Sequence, residues 1–214
     1  LLAGQGMVDI TGNPLAQMAF LQVVWGMRKQ PYLAVRPVNH SGERPKTGAW
    51  QFTNAIASWN WQGFEGKKTV VEVYADAYAV RLLLNGKKLG ERRVKKYKAL
   101  FSVRYRAGTL TAVAIDERGK KLSRAMLITG GRETFLRVKV DKTVLRANGQ
   151  DLCFAEIEFV DKGGNIKPCI EQPIEIKALG NAAVLQGFGS ALCKTDEVFS
   201  SLSHDAYRGR ALPV

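Results

Sequence analysis

The chain has 214 residues, 46% hydrophobic and 24% charged, enough apolar material for the core of one large domain or two small ones. That balance excludes a disordered chain, and no apolar run is long enough to cross a bilayer, so no membrane partner is expected. Thirty-two Lys and Arg against 19 Asp and Glu leave a net charge of +13, which admits an acidic partner without requiring one.

The opening Leu1-Leu2-Ala3-Gly4 has neither an initiating Met nor the basic start and apolar stretch of a signal peptide. The chain therefore reads as cut from something longer, and its compartment, periplasmic or cytoplasmic, stays open. Asn13-Pro14 then reads as a helix start, with Asn as the cap and Pro in the first helical position. The helix should run from Leu15 to about Arg28. Ala16, Ala19, Phe20, Val23, Val24 and Met27 fall on one face, while Leu15, Met18, Leu21 and Trp25 populate the other. A helix apolar nearly all round should be buried on more than one side. Residues 39–48 turn polar, with Ser41-Gly42, Pro45 and Gly48, and read as a linker or surface loop.

From about Ala49 to Gly130 the pattern is β. Thr69–Ala75 is rich in β-branched residues. Ala79–Leu84 is followed by Asn85-Gly86, the strongest short hairpin signal. Ala99–Tyr105, Thr109–Asp116 and Lys121–Thr129 alternate, with Glu117–Lys120 as a turn. From about Gly131 the pattern recurs in Phe135–Asp141, Leu152–Val160, Ile174–Leu179, Ala182–Gly187 and Arg210–Val214, with Asp161–Asn165 as a turn. Regular short strands separated by polar turns imply two sandwiches.

The residues at these junctions carry a family resemblance. Gly6-Met7-Val8-Asp9-Ile10-Thr11-Gly12-Asn13-Pro14 resembles the stretch that follows the last barrel strand in family 2 glycoside hydrolases and leads into the final barrel helix. Ser58-Trp59-Asn60-Trp61-Gln62-Gly63-Phe64-Glu65-Gly66-Lys67 resembles the signature that opens the first sandwich after the barrel. Val71–Tyr74 and Leu82–Gly90 are similar to that sandwich's next two strands. Asn148–Leu152, Val160–Asn165, Gly187-Phe188-Gly189-Ser190 and Tyr207–Leu212 are similar to the final immunoglobulin-like domain of bacterial β-galactosidase-type members. The Gly-Phe-Gly-Ser turn departs from the Gly-x-Gly-Asn-Gly or Gly-x-Gly-x-Pro of that family.

The resemblance implies a mainly β fold: two immunoglobulin-like β-sandwich domains preceded by one α-helix left over from a catalytic (β/α)8 barrel. The expected boundaries are 1–37 for the barrel tail, 38–130 for the first sandwich and 131–214 for the second. It also implies a parent that hydrolyses glycosides with retention, using two barrel glutamates about 5–5.5 Å apart. Both lie upstream of the segment matched by Gly6–Pro14, so no catalytic residue is assigned and the chain itself is expected to be a non-catalytic accessory region. Its expected partner is its own parent barrel. The exposed helix is a candidate surface for homo-oligomers.

The remaining chemistry is sparse. Cys153, Cys169 and Cys193 form no C-x-x-C pair, and His40 and His204 stand far apart, so neither a metal nor a cofactor is expected. Asp9, Asp116, Glu117, Glu156 and Glu158 read as structural or solvated acids, and a contiguous Ser203-His204-Asp205 does not make a triad. Trp59 and Trp61 are the carbohydrate-contact candidates: in an extended segment both face one side, as a stacking platform for an oligosaccharide or as core. A carbohydrate-binding module is therefore the alternative reading. Lys87–Arg106 carries nine basic residues and one acid, Glu91. With Tyr97 and Tyr105 it raises nucleic-acid binding as a third reading, but no nucleic-acid motif accompanies it, and a solvated hairpin edge is the expected role.

Overall fold

The computed structural model describes residues 6–40, 51–177, 179–180, 183–192 and 195–214. Cys193, most of the 39–48 linker and the start of the Ala182–Gly187 strand lie outside the described residues. The chain divides into two compact units, 4–129 and 130–214. No described helix is long and apolar enough to cross a membrane.

The first unit holds the helix α1 (Ala16–Val24) and the strands β1 (Tyr32–Val35), β2 (Lys68–Tyr74), β3 (Ala79–Leu84), β4 (Lys87–Arg93), β5 (Lys98–Arg104), β6 (Thr109–Ile115) and β7 (Lys121–Ile128). The strands form an antiparallel sheet in the order β1-β2-β5 and another in the order β4-β3-β6-β7, a seven-strand immunoglobulin-like sandwich. Alternation sets the facing. Val71 and Val73 of the first sheet and Val80, Leu82, Leu110 and Ala112 of the second are buried between the layers. Leu89 is the extra residue of a bulge in β4, since Lys88 pairs with Leu83 and Gly90 with Leu82.

The helix departs from expectation at both ends. Its N-cap is Leu15, which makes no side-chain cap bond. Asn13 is used upstream instead: its N–H donates to Asp9 Oδ1 at 2.9 Å and its Nδ2 to Thr11 Oγ1 at 3.2 Å. At the other end Gly26 takes φ +69°, and Met27 N–H donates to the Gln22 carbonyl at 2.8 Å. This left-handed glycine closes the last turn four residues before Arg28. Strand β1 was not anticipated from the sequence; it pairs with β2 through Tyr32–Tyr74 to Val35–Val71.

The second unit holds β8 (Phe135–Val140), β9 (Ala155–Val160), β10 (Pro173–Glu175), β11 (Phe188–Gly189), β12 (Ser203–Asp205) and β13 (Arg210–Pro213). They form a four-stranded sheet, β11-β13-β9-β8, and a two-stranded one, β10-β12. Ile157, Phe159, Ile174, Phe188, Ala206 and Ala211 make its core. The turn expected at 161–165 is present. Asp161 accepts Asn165 N–H and Asn165 Nδ2 at 2.8 and 3.0 Å, and Gly131 N–H at 2.8 Å. Strand β12 falls on the Ser203-His204-Asp205 segment that had no element assigned.

Candidate functional site

Strand β2 places one acid in an otherwise apolar run, Lys68-Thr69-Val70-Val71-Glu72-Val73-Tyr74. Alternation turns Glu72 and Tyr74 to the outer face of the β1-β2-β5 sheet, and α1 covers that face. Ala16, Phe20 and Val23, at helical spacing, pack with Ala34, Phe52, Ala55 and Tyr74. Beneath them Glu72 is buried but fully engaged: Arg36 Nε donates at 2.7 Å, Thr53 Oγ1 at 2.9 Å and Tyr74 OH at 2.9 Å. A buried carboxylate held by three donors is anchored rather than reactive. Burial, with Glu72 alongside, pushes the Tyr74 hydroxyl far above its ordinary range, so it stays a neutral donor. Lys98 Nζ lies over the rings of Phe52 at 3.5 Å and Phe20 at 4.3 Å. Desolvation there lowers its pKa, opposed by the Glu72 charge. Gln17 Nε2 adds a bond to the Thr53 carbonyl at 3.4 Å. The cluster fastens the helix to the sandwich.

The opposite side of α1 carries Met18, Leu21, Gln22 and Trp25, again at helical spacing. Met18, Leu21 and Gln22 are half-buried, Trp25 is 67% exposed, and Met27 beyond the helix end is 71% exposed. A helix apolar on both sides thus buries one side within its own unit and offers the other. Large exposed apolar groups of this kind mark contact surfaces.

The structure buries both Trp59 and Trp61. They are 0% and 1% exposed, and a stacking platform needs a free ring face. Trp59 Nε1 donates to the Arg106 carbonyl at 3.0 Å and Trp61 Nε1 to the Ser58 carbonyl at 3.1 Å. The Trp59 ring meets Tyr105 edge-on at 5.0 Å. Thr129 Oγ1 donates to the Trp59 carbonyl at 2.7 Å, and Tyr105 OH accepts Trp61 N–H at 3.2 Å. The Trp-Asn-Trp segment is a buried lock on the end of β7. Sequence alternation alone could not separate an inward from an outward facing.

The other acids are also structural. Asp9 Oδ1 accepts Thr11 N–H, Thr11 Oγ1 and Asn13 N–H. Asp116 Oδ1 accepts Arg118 and Lys120 N–H at the β6–β7 turn. Glu156 and Glu158 share the outer face of the larger sheet in the second unit. Glu158, with no exposed surface, is ion-paired by Arg137 at 2.6 Å and Lys139 at 2.8 Å. Burial raises its pKa, but Lys139 and Arg137 outweigh it and hold the carboxyl below the ordinary range. A carboxylate so held is a poor general acid. In β12, His204 turns inward. Its ring stacks on Phe199 at 5.9 Å and meets Phe188 edge-on, and Nδ1 lies 3.0 Å from Glu197 Oε2. Gly189 makes room for this packing, since a Cβ there would sit 2.5 Å from the Phe199 ring. The clamp at Glu72 was missed from sequence, although a lone acid inside an apolar strand signals a buried partner.

With this geometry in place, the likeness to known proteins is specific. Residues 136–214 match glycoside hydrolase family 2 C-terminal domain 5, and residues 66–123 match a domain of unknown function, DUF4982. A family 2 glycosyl hydrolase from Bacteroides cellulosilyticus superposes with a TM-score of 0.83 at 28% identity, covering 99% of this chain and 28% of that one. The β-galactosidase BoGH2A of Bacteroides ovatus is 28% identical over 167 residues, 77% of this chain and 19% of that protein. A β-glycosidase from Bacteroides vulgatus shares the fold, with a TM-score of 0.69 at 20% identity over 98% of this chain and 25% of that one. The chain spans 19% to 28% of the length of these relatives. Residues 136–214 thus match a C-terminal domain of glycoside hydrolase family 2, and the chain as a whole is similar to the C-terminal region of that family's members.

Proposed function

We propose that this chain is the non-catalytic accessory region of a retaining, β-galactosidase-like glycosidase, and that it supports that enzyme's barrel through the free side of α1. The observation that carries the reading is the second apolar stripe, Met18, Leu21 and Trp25 with Met27, on a helix already fastened to the sandwich by its other side. The similarity of Gly6–Pro14 to the approach to the final barrel helix gives that stripe its partner, the catalytic barrel. The chemistry belongs to two barrel carboxylates outside this chain, and each buried acid described above is held by donors or cations.

Two measurements test this. The purified 214-residue chain should not hydrolyse nitrophenyl β-galactoside; turnover that survives removal of host enzyme overturns the proposal. In the intact enzyme, Trp25→Ser with Met27→Ser should weaken the barrel contact by about 2–4 kcal/mol, read as a lower melting temperature and faster loss of activity. The same pair should leave the melting of the 214-residue chain unchanged, because both side chains are exposed there. Unchanged behaviour of the intact enzyme overturns the docking role, and self-association of the chain that the pair does not abolish places the sticky surface elsewhere.

A further inference from the structure

Lys87–Arg106 holds nine basic residues and one acid, and the fold gathers them on two adjoining strands joined by a tight turn. Strand β4 is the edge of its sheet and β5 the edge of the other, and the two lie side by side. Eight of the nine cations are exposed; only Lys98, in the aromatic clamp, is half-buried. The single acid is already used, since Glu91 is bridged by Arg81 at 2.9 Å and Lys88 at 3.0 Å. Lys87, Arg92, Arg93, Lys95, Lys96 and Arg104 therefore lie along a ribbon that reverses at its tip, with Lys87 and Arg104 at the strand ends away from the tip.

That turn is unusual. Lys95 and Lys98 exchange both backbone hydrogen bonds, at 2.9 and 3.0 Å, so Lys96 and Tyr97 form a two-residue hairpin loop. Both have left-handed φ, +50° and +63°, a conformation that favours Asn-Gly. The neighbouring β3–β4 turn does use Asn85-Gly86. A strained tip that keeps a cation and a ring where small residues fold better is a mark of function rather than of stability.

We propose that the β4–β5 edge binds a linear anionic polysaccharide bearing carboxylate or sulfate groups. A narrow ribbon of exposed cations, two strands wide, suits a linear polymer better than a flat acidic protein face. Arg92 and Arg104 each donate from Nη1 to a backbone carbonyl, of Glu91 at 3.3 Å and Gly66 at 2.9 Å, and the remaining N–H groups of each guanidinium can take carboxylate or sulfate oxygens. Tyr78 is already capped by Arg93 at 4.3 Å, so the edge lacks the run of free rings on which successive bases would stack. The choice of a glycan as the polymer rests on the proposed glycosidase role; the edge itself does not.

The test measures binding of the full chain to chondroitin sulfate, polygalacturonate, neutral dextran and a short single-stranded DNA at physiological salt. Binding to one of the two acidic glycans, none to dextran, and weaker binding to DNA is expected. Arg92→Glu with Lys95→Glu and Lys96→Glu should weaken glycan binding at least about tenfold. Arg118→Glu with Lys120→Glu and Lys121→Glu, on the exposed β6–β7 turn, changes the net charge equally and should have a much smaller effect. No binding to either acidic glycan, tighter binding to DNA, or equal losses from the two triple variants overturns the assignment. Unchanged circular dichroism of both variants guards against misfolding. Failure here leaves the support role standing, because that role is read from melting of the intact enzyme.

Discussion

The two units solve the same packing problem with different resources. In 4–129, seven strands close two layers over Trp59, Trp61, Tyr105 and Leu82, and a helix seals the outside of the smaller sheet. In 130–214, a four-stranded sheet faces two short strands among the described residues, and the side chains of β8 on the core side of the sheet, Leu136 and Val138, are 60% and 58% exposed. What the second unit lacks in apolar burial it offsets with polar ties: the cations on Glu158, the Asp161 turn, and Lys167 Nζ on the Arg132 carbonyl and Thr134 Oγ1. Burial of apolar surface is indifferent to pH, whereas such ties are not. The contrast can be broken by attacking each unit where it is strongest.

The largest effect is expected from Trp59→Ala. It removes a fully buried indole, its bond to the Arg106 carbonyl and its edge contact with Tyr105. About 3–5 kcal/mol should be lost, measured by urea unfolding of the full chain. The loss should fall on the transition of residues 4–129. A loss below about 1 kcal/mol would mean that the two tryptophans are not the keystone of that core.

The second effect is greater acid sensitivity in 130–214 than in 4–129, where the carboxyl held low by Arg81 and Lys88, that of Glu91, lies at the surface. Glu158 and Asp161 are both held below their ordinary values: burial acts against this, and the ion pairs on one and the Asn165 and backbone bonds on the other prevail. For a carboxylate whose folded pKa is depressed, the stabilisation is complete above the unfolded value and is lost as pH falls through the folded one. Stability of the second unit should therefore decline as pH drops below the ordinary values of 4.5 for Glu and 3.8 for Asp. Glu158→Gln should flatten that decline. Hydrogen exchange of the two units across this range checks it, and equal acid loss in both units would remove the distinction.

How much of this was legible in the sequence follows the same divide. Strands β3, β6 and β7 came out within a residue of expectation because β-branched alternation and the Asn85-Gly86 turn fix both face and register. The second unit was harder. Strand β10 is three residues long and β12 has a histidine at its centre, so neither carries an apolar rhythm. The helix was found but overextended, since Gly26 acts as a stop through its left-handed φ. Periodicity identified two apolar sides of α1 without saying which one the sandwich would take. The Glu72 clamp joins residues from 17 to 98, and no local pattern reports contacts made across that distance.

The smallest effect sharpens the comparison within the first unit itself, between its two neighbouring hairpin turns. Asn85 and Gly86 occupy left-handed positions that suit them, and Asn85 Oδ1 also accepts Thr109 N–H at 2.8 Å. Lys96 and Tyr97 occupy equivalent positions with side chains that disfavour them. Replacing them, Lys96→Asn with Tyr97→Gly, should therefore stabilise the chain by about 1 kcal/mol, seen as a higher urea midpoint with an unchanged slope. Most single changes to a folded protein destabilise it, so a gain from two substitutions at an exposed tip would show that the natural residues are kept for something other than folding. A loss of stability would instead mean that Lys96 or Tyr97 makes contacts worth more than the backbone strain, and the tip would then belong to the fold rather than to a ligand.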